Sequence, residues 1–253
     1  MKSAGKNSAF QVIATYHSLN NFPSLTNTVT EFLIGEGAVV EFDIKQNENS
    51  SANHINRVYA RVQRKAVFDI FTVTMGGALV RNNLEIILSE PNACAHLNGL
   101  TVADGYQVVD NHTVVDHASP NCESNQLYKN ILDDHSQGVF NGKIFVRKDA
   151  QKTNAFQSSK NVLLSNTAVM NAKPQLEIYA DDVKCSHGAT TGQLDEDALF
   201  YFRSRGIGER DARALLNYTF ASDVIEKINN DALKSNLLKL LSQKLNTAVE
   251  FGE

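Results

Sequence analysis

From about Val29 to Thr190, apolar residues recur at every second position, and after Gly192 the period lengthens to that of helices. A period of two sends successive side chains to opposite faces of a strand, whereas a period near 3.6 gathers them on one stripe of a helix. The alternation is plain in Val39–Ile44, Ala66–Val73, Leu84–Leu88, Val139–Val146 and Gln175–Tyr179, with Gly, Asn, Asp or Ser between the runs. So many short strands predict a mainly β protein built as a sandwich, a barrel or a β-helix. Asparagine near the turns, scarce proline and few Asn-Gly hairpin signals tilt the pattern towards a β-helix, although no strict repeat is visible. With 253 residues, 42% of them hydrophobic, the chain is long enough to bury a sizeable core.

The second regime reads as three helices. Asp195 is an N-cap for a helix over 196–204, and Gly206 is its stop. A second helix runs from Glu209 to Ile228, with Ala212, Leu216, Phe220, Val224 and Ile228 on one stripe and Leu215 and Ile225 beside it. A third starts near Asn230 and turns Leu233, Leu237, Leu240, Leu241 and Leu245 inward. The expected organisation is a lead-in over 1–28, a β core over 29–192 and a small helical domain over 193–253, packed on itself.

Several function classes are disfavoured. The net charge of -4, from 24 basic and 28 acidic residues, is unlike that of a nucleic-acid binder. The run Lys143, Arg147, Lys148, Lys152 and Lys160 is diluted by Asp149 and reads as a solvated face. Cys94, Cys122 and Cys185 are too few and too odd in number for a disulfide framework. No apolar run approaches the roughly 20 residues that span a bilayer, and Met1–Lys6 leads into polar sequence without a signal core. These features lead us to expect a cytoplasmic protein. Neither a phosphate-binding Gly-x-x-x-x-Gly-Lys-Ser/Thr loop nor a Gly-x-Ser-x-Gly nucleophile elbow is present. A carbohydrate-active β-helix enzyme would want aromatic sugar platforms, yet the chain has no tryptophan and only 8% aromatics.

One segment is distinctive: Lys173–Thr190, which contains Cys185-Ser186-His187-Gly188. It resembles the SufB/SufD family of iron–sulfur cluster assembly scaffolds. So do Ala198–Ile207, Val108–Thr113, Val115–Cys122, Val139–Ile144 and Ala150–Ala155. The resemblance extends from about Thr26 to Ile228, and the Cys-Ser-His-Gly wording is similar to the SufD branch rather than to SufB. Members of that branch ordinarily carry a further N-terminal helical region, not seen in this sequence, so a trimmed chain is expected. The resemblance implies a right-handed parallel β-helix followed by a small C-terminal helical domain. It implies a non-enzymatic scaffold that pairs with SufB and docks the ATPase SufC. ATP use would belong to that partner. Nascent clusters or iron would be handled in the complex, with no cofactor held tightly by the isolated chain.

The residues themselves allow sharper and blander readings. Cys185 and His187 stand two apart on a strand, so they point to one face about 7 Å apart. Thiolate and imidazole suit zinc or iron–sulfur chemistry, but two ligands do not close a four-coordinate site. By spacing alone they read as a small core cysteine and a hydrogen-bonded histidine, or as half of a stand-alone zinc site. The resemblance supplies the missing ligands from SufB and makes Cys185 and His187 candidate cluster or metal ligands at that interface. His112, His117 and Cys122 recur at odd spacing, hence on opposite faces, and read as structural; His135 reads as a loop residue. Asp181 and Asp182 likewise face opposite sides. Arg203, Arg205, Arg210 and Arg213 read as a solvated helical surface or, through the resemblance, with Tyr201 as part of a SufC-docking surface. An open β-helix leaves strand edges unpaired, so we expect the isolated chain to self-pair as a two-fold dimer through 176–187.

Overall fold

The computed structural model describes residues 1–245. Within them the chain runs β1 (Lys2–Ala4), β2 (Ala9–His17), β3 (Ser24–Ile34), β4 (Val39–Asn47), β5 (Ala52–Val62), β6 (Val67–Thr74) and β7 (Leu79–Leu88). It continues through β8 (Cys94–Ala103), β9 (Val108–His117), β10 (Glu123–Leu132), β11 (Gln137–Val146), β12 (Thr153–Leu163), β13 (Val169–Ile178) and β14 (Val183–Gly192). Three helices close it: α1 (Glu196–Ser204), α2 (Glu209–Ile225) and α3 (Asp231–Lys244).

Each strand pairs in parallel with the strand two further on, so odd-numbered strands form one seven-stranded sheet and even-numbered strands another. The chain therefore winds alternately through the two sheets as a parallel solenoid of about seven turns. Inward side chains stack in columns along the axis and outward ones face solvent or the tail.

The repeat that residue identities conceal is present in the backbone. Asn7, Gly37, Lys65, Asn92, Asn121 and Lys152, spaced 27 to 31 residues apart, all turn with positive φ at the same corner of successive coils. The amide of each donates to a carbonyl of the next coil: Glu36, Arg64, Pro91, Pro120, Gln151 and Asp182. A left-handed corner tolerates Asn and Gly well and Lys less readily. Different residues therefore occupy one conformation, and no sequence repeat appears.

The lumen is apolar at its N-terminal end, where Phe32, Phe42 and Phe68 stack, and continues through Ile86, Leu97 and Tyr128. Polar residues also enter it. Asn56, Asn82 and Asn111 pair side chain to side chain along one column, so these buried amides satisfy one another.

Two expectations are corrected. Residues 1–28 are not a lead-in: β1 pairs with β3 and β2 with β4, so the solenoid begins at Lys2. The alternation is weaker there because β2 and β3 form the first coil, and a terminal coil is covered on one side only. Nor is the helical tail packed only on itself. Tyr218, Ala221, Val224, Ile225, Ile228, Leu233, Leu237 and Leu241 share one cluster with Phe71, Val73, Met75, Leu100, Val102 and Ile131. Those last residues lie on the outer face of the even-strand sheet. An apolar outer face is costly to leave in water, and the helices bury it. Lys129 anchors the contact: it is buried and donates to the Phe220 carbonyl at 2.8 Å and to Asp223 at 2.5 Å.

The helix boundaries follow their caps. The Asp195 carboxylate accepts from the amides of Asp197 and Ala198, and the Asn230 side chain from that of Leu233. Gly206 turns at φ +85° after α1. The buried residues of α2 are Ala212, Ala214, Asn217, Tyr218, Ala221, Val224 and Ile225; Ala212 and Val224 of the expected stripe are among them, while Leu216 and Phe220 are half-buried because the face fits the sheet as well as the neighbouring helices.

Candidate functional site

The solenoid ends at β13 and β14, each paired on one side only. β14 lies in continuous register on β12, with Ala155 beside Cys185 and Gln157 beside His187. Ala155 and Gln157 point inward, since both are buried while Asn154, Phe156 and Ser158 between them are not. Parity thus puts Val183, Cys185 and His187 on the inward side of the last coil. No further coil covers them, so His187 is exposed and Cys185 half-buried.

Cys185 packs against the cluster of Ile144, Val146, Ala150, Ala155 and Ala180. Burial raises its thiol above the ordinary value, countered in part by the Ala155 backbone. A thiol in that state is a poor nucleophile until a cation or metal arrives to stabilise the thiolate. Below His187, Gln157 is buried with both amide atoms lacking a hydrogen-bond partner, and Gln126 in the same column has an unpartnered Nε2. Buried amides usually find partners, so this end of the lumen offers spare donors and an acceptor beneath an exposed imidazole. Asp181 and Asp182 lie at the turn before β14. The Asp182 amide donates to Gln151 Oε1 at 2.9 Å, and its carbonyl accepts from the Lys152 amide at the last corner.

The tail residues sit elsewhere. Tyr201 is exposed on α1, with the Arg205 guanidinium 5.2 Å from its ring centre. Neighbouring Phe200 is 73% exposed; it belongs to the same surface, and the sequence reading passed over it. Glu209 holds Arg203 at 3.6 Å and Arg213 at 3.1 Å, while Arg210 lies 3.8 Å from Asp211. The four arginines are therefore gathered near the α1–α2 junction, with part of their charge already matched.

His112 and His117 fall on opposite faces of β9 as their odd spacing requires, whereas Cys122, beyond the turn, is buried like His117. His117 is inward and fully buried, bonded through Nε2 to Ser124 Oγ at 2.8 Å. Burial holds its imidazole neutral, lowering its pKa to about 4. Cys122 is buried, its thiol pushed up to about 11. His112 faces outward to Asp110 at 2.8 Å, and His135 stacks on Tyr106 in the turns.

One constellation escaped the sequence reading. Cys94 and His96 on β8 point outward, and the register sets Asp69 of β6 beside His96. Asp69 Oδ1 lies 2.6 Å from His96 Nδ1, and Cys94 Sγ lies 3.5 Å from His96 Nε2. The Asp69 contact, then the Cys94 contact, raise the imidazole pKa to about 10. The available signal was a Cys-x-His spacing identical to that of Cys185 and His187. The third member lies 25 residues before Cys94 and only tertiary pairing delivers it.

Comparison with known proteins bears on all of this. Residues 3–220 match the SUF system FeS cluster assembly, SufBD core domain. A SufBD family iron–sulfur cluster assembly protein of Synechocystis is 38% identical over 87% of this chain and 49% of its own length. The iron–sulfur cluster assembly protein SufD of Escherichia coli is 35% identical over 92% of this chain and 55% of its own. The chloroplastic protein ABCI7 of Arabidopsis thaliana is 37% identical over 83% of this chain and 44% of its own. The chain thus spans about half the length of these relatives.

Proposed function

The chain belongs to the SufBD family of SUF iron–sulfur cluster assembly proteins, and from that membership we propose that it is the SufD-type scaffold of the assembly complex, presenting Cys185 and His187 to a SufB-type partner. The observation that carries this reading is the placement of both residues on one inward column of the last coil, against a strand edge that nothing among the described residues pairs. A second solenoid abutting that edge extends both sheets, satisfies their free backbone groups and supplies the further ligands a cluster or iron needs. The nascent cluster is cargo, held between subunits and passed on. On its own the chain binds none tightly.

The exposed surface of Phe200, Tyr201, Arg203, Arg205, Arg210 and Arg213 suits docking of the ATPase partner, SufC. Aromatic and arginine side chains are the residues interfaces favour, and α1 buries only Leu199 in this chain. The role is that of a scaffold, with nucleotide hydrolysis in the partner. Three unpaired cysteines suit a reducing compartment such as the cytoplasm. Among the described residues no helix is long and apolar enough to cross a membrane.

The test is His187→Ala in a cell that relies on this system alone, with iron and sulfide analysis of the purified complex and a melting curve. Because His187 is exposed, stability should stay within about 1 kcal/mol of the parent. The complex should form, and its cluster content should collapse. Cys185→Ser should lower both cluster content and stability, since the side chain packs on a core cluster. Normal growth of the His187→Ala strain would sink the ligand role.

A further inference from the structure

We infer that Cys94, His96 and Asp69 form a nucleophilic thiol site on the outer face of the solenoid that exchanges with low-molecular-weight disulfides of neutral or positive charge.

The geometry is that of a thiol, a cationic imidazole and an orienting carboxylate. Asp69 engages one ring nitrogen of His96 at 2.6 Å and Cys94 meets the other at 3.5 Å, the order in which activated thiols are built. The same geometry argues against a metal centre. The imidazole stands between thiol and carboxylate, so their lone pairs do not converge on one point, and among the described residues no three such groups do. Asp69 holds the imidazole protonated through the neutral range, so the ring nitrogen facing Cys94 Sγ at 3.5 Å is a charged N–H donor.

Access is available. Cys94 is half-buried, His96 and Asp69 are 39% and 31% exposed, and His96 opens onto a shallow groove with Asn98, Asn125 and Phe156. The tail helices bury the same sheet further along, from Phe71 and Leu100, and the α2–α3 turn reaches the rim, where Asn229 donates to Glu41 and Asn230 to Gln11, while Cys94 itself keeps its partial exposure. The other thiols are less able: Cys122 is buried and Cys185 is packed on a core cluster.

The surroundings select the disulfide. Glu123 of β10 is the register neighbour of Cys94, and Glu41 of β4 that of Asp69. Asp43 stands one position on, its carboxyl raised to about 6 by burial. Gln11 donates to both Glu41 and Asp43, and Asn154 donates to Glu123. Lys227 at the groove, Lys45 beyond Asp43 and Lys184 beside Asn154 are the nearby cations. The acidic rim repels anionic partners and draws cationic ones.

The step balances. Cys94 Sγ attacks one sulfur of R–S–S–R, a Cys94–S–S–R bond forms, and the original S–S bond breaks. The electron pair leaves on R–S⁻, which takes its proton from the His96 imidazolium or from water. Cys94 is oxidised and the departing sulfur reduced, the disulfide itself being the oxidant.

The full chain is incubated near neutral pH with cystamine, hydroxyethyl disulfide or oxidised glutathione, and each cysteine is followed by peptide mass mapping. Cys94 should form its mixed disulfide before Cys185 and Cys122. It should also react faster in the folded chain than in the same chain unfolded in urea, a comparison that needs no variant. Cystamine should outpace the neutral reagent, and glutathione should trail. His96→Gln and Asp69→Asn should each slow Cys94 roughly tenfold, as expected when a cationic neighbour is lost, and leave the Cys185 rate unchanged. Slower reaction in the folded chain, earlier labelling of Cys185, or wild-type rates in both variants would overturn the site. Glutathione outpacing cystamine would overturn its charge preference.

Discussion

His117 illustrates how much one buried side chain governs. Its lowered value near 4, against an ordinary 6.5, arises from burial and not from a partner charge, since the nearby Asp116 acts in the opposite direction. The folded state therefore refuses a proton that the unfolded chain accepts. Stability from this group is complete above pH 6.5 and is lost as pH falls through about 4. Its full extent is about 3 kcal/mol, from the linkage of pKa to free energy. Urea titrations of the wild type and His117→Asn across that window check it: the variant should lose the acid slope while retaining a hydrogen bond to Ser124. An equal slope in both would move the acid sensitivity to other groups. His187, by contrast, belongs to the surface, which is why its replacement is expected to cost function and not fold.

At the level of elements, the tail decides whether the β solenoid can stand alone. Reading the helices as a self-packed unit suggests that truncation after Gly192 leaves the β domain intact. The shared cluster with Phe71, Val73, Met75, Leu100, Val102 and Ile131 predicts otherwise. Truncation bares that face and strips Lys129 of both its partners, Asp223 and the Phe220 carbonyl. An exposed apolar patch of this kind marks association, and the anchoring contact made by Lys129 goes with the tail. The truncated chain should therefore bind a hydrophobic dye strongly and aggregate, whereas removal of α1 alone, by mutation of Leu199 and its neighbours to polar residues, should leave the core cooperative. A soluble, monomeric and dye-silent truncation would contradict this packing.

For the whole molecule, the free edges of β13 and β14 govern association. Unpaired edges are covered by partners or by copies. In the absence of a SufB-type partner the isolated chain should form a two-fold dimer through the last coil, and addition of that partner should replace it. Sedimentation over the micromolar range, with and without a proline at Lys184 to block edge pairing, measures this. A clean monomer for the unaltered chain would remove the expectation.

The alternation over 29–190 was enough to identify strands, and the cap at Asp195 with the helical period beyond it located the helices, because backbone period and capping are local properties. The motif around Cys185 and His187 was legible for the same reason. What local pattern could not carry was the face. Cys94-x-His96 and Cys185-x-His187 have one spacing, yet the first pair points out and the second in, because strand register against β6, β10 and β12 sets that parity. The 27–31-residue repeat was hidden because Asn, Gly and Lys, unequal in their ease there, all occupy the left-handed corner. The partner of His96, the cover over Phe71 and Leu100, and the inclusion of residues 2–28 in the first coils all depend on contacts between distant segments. Sequence determines which residues can form strands and helices; only closure of the solenoid decides which side chains meet.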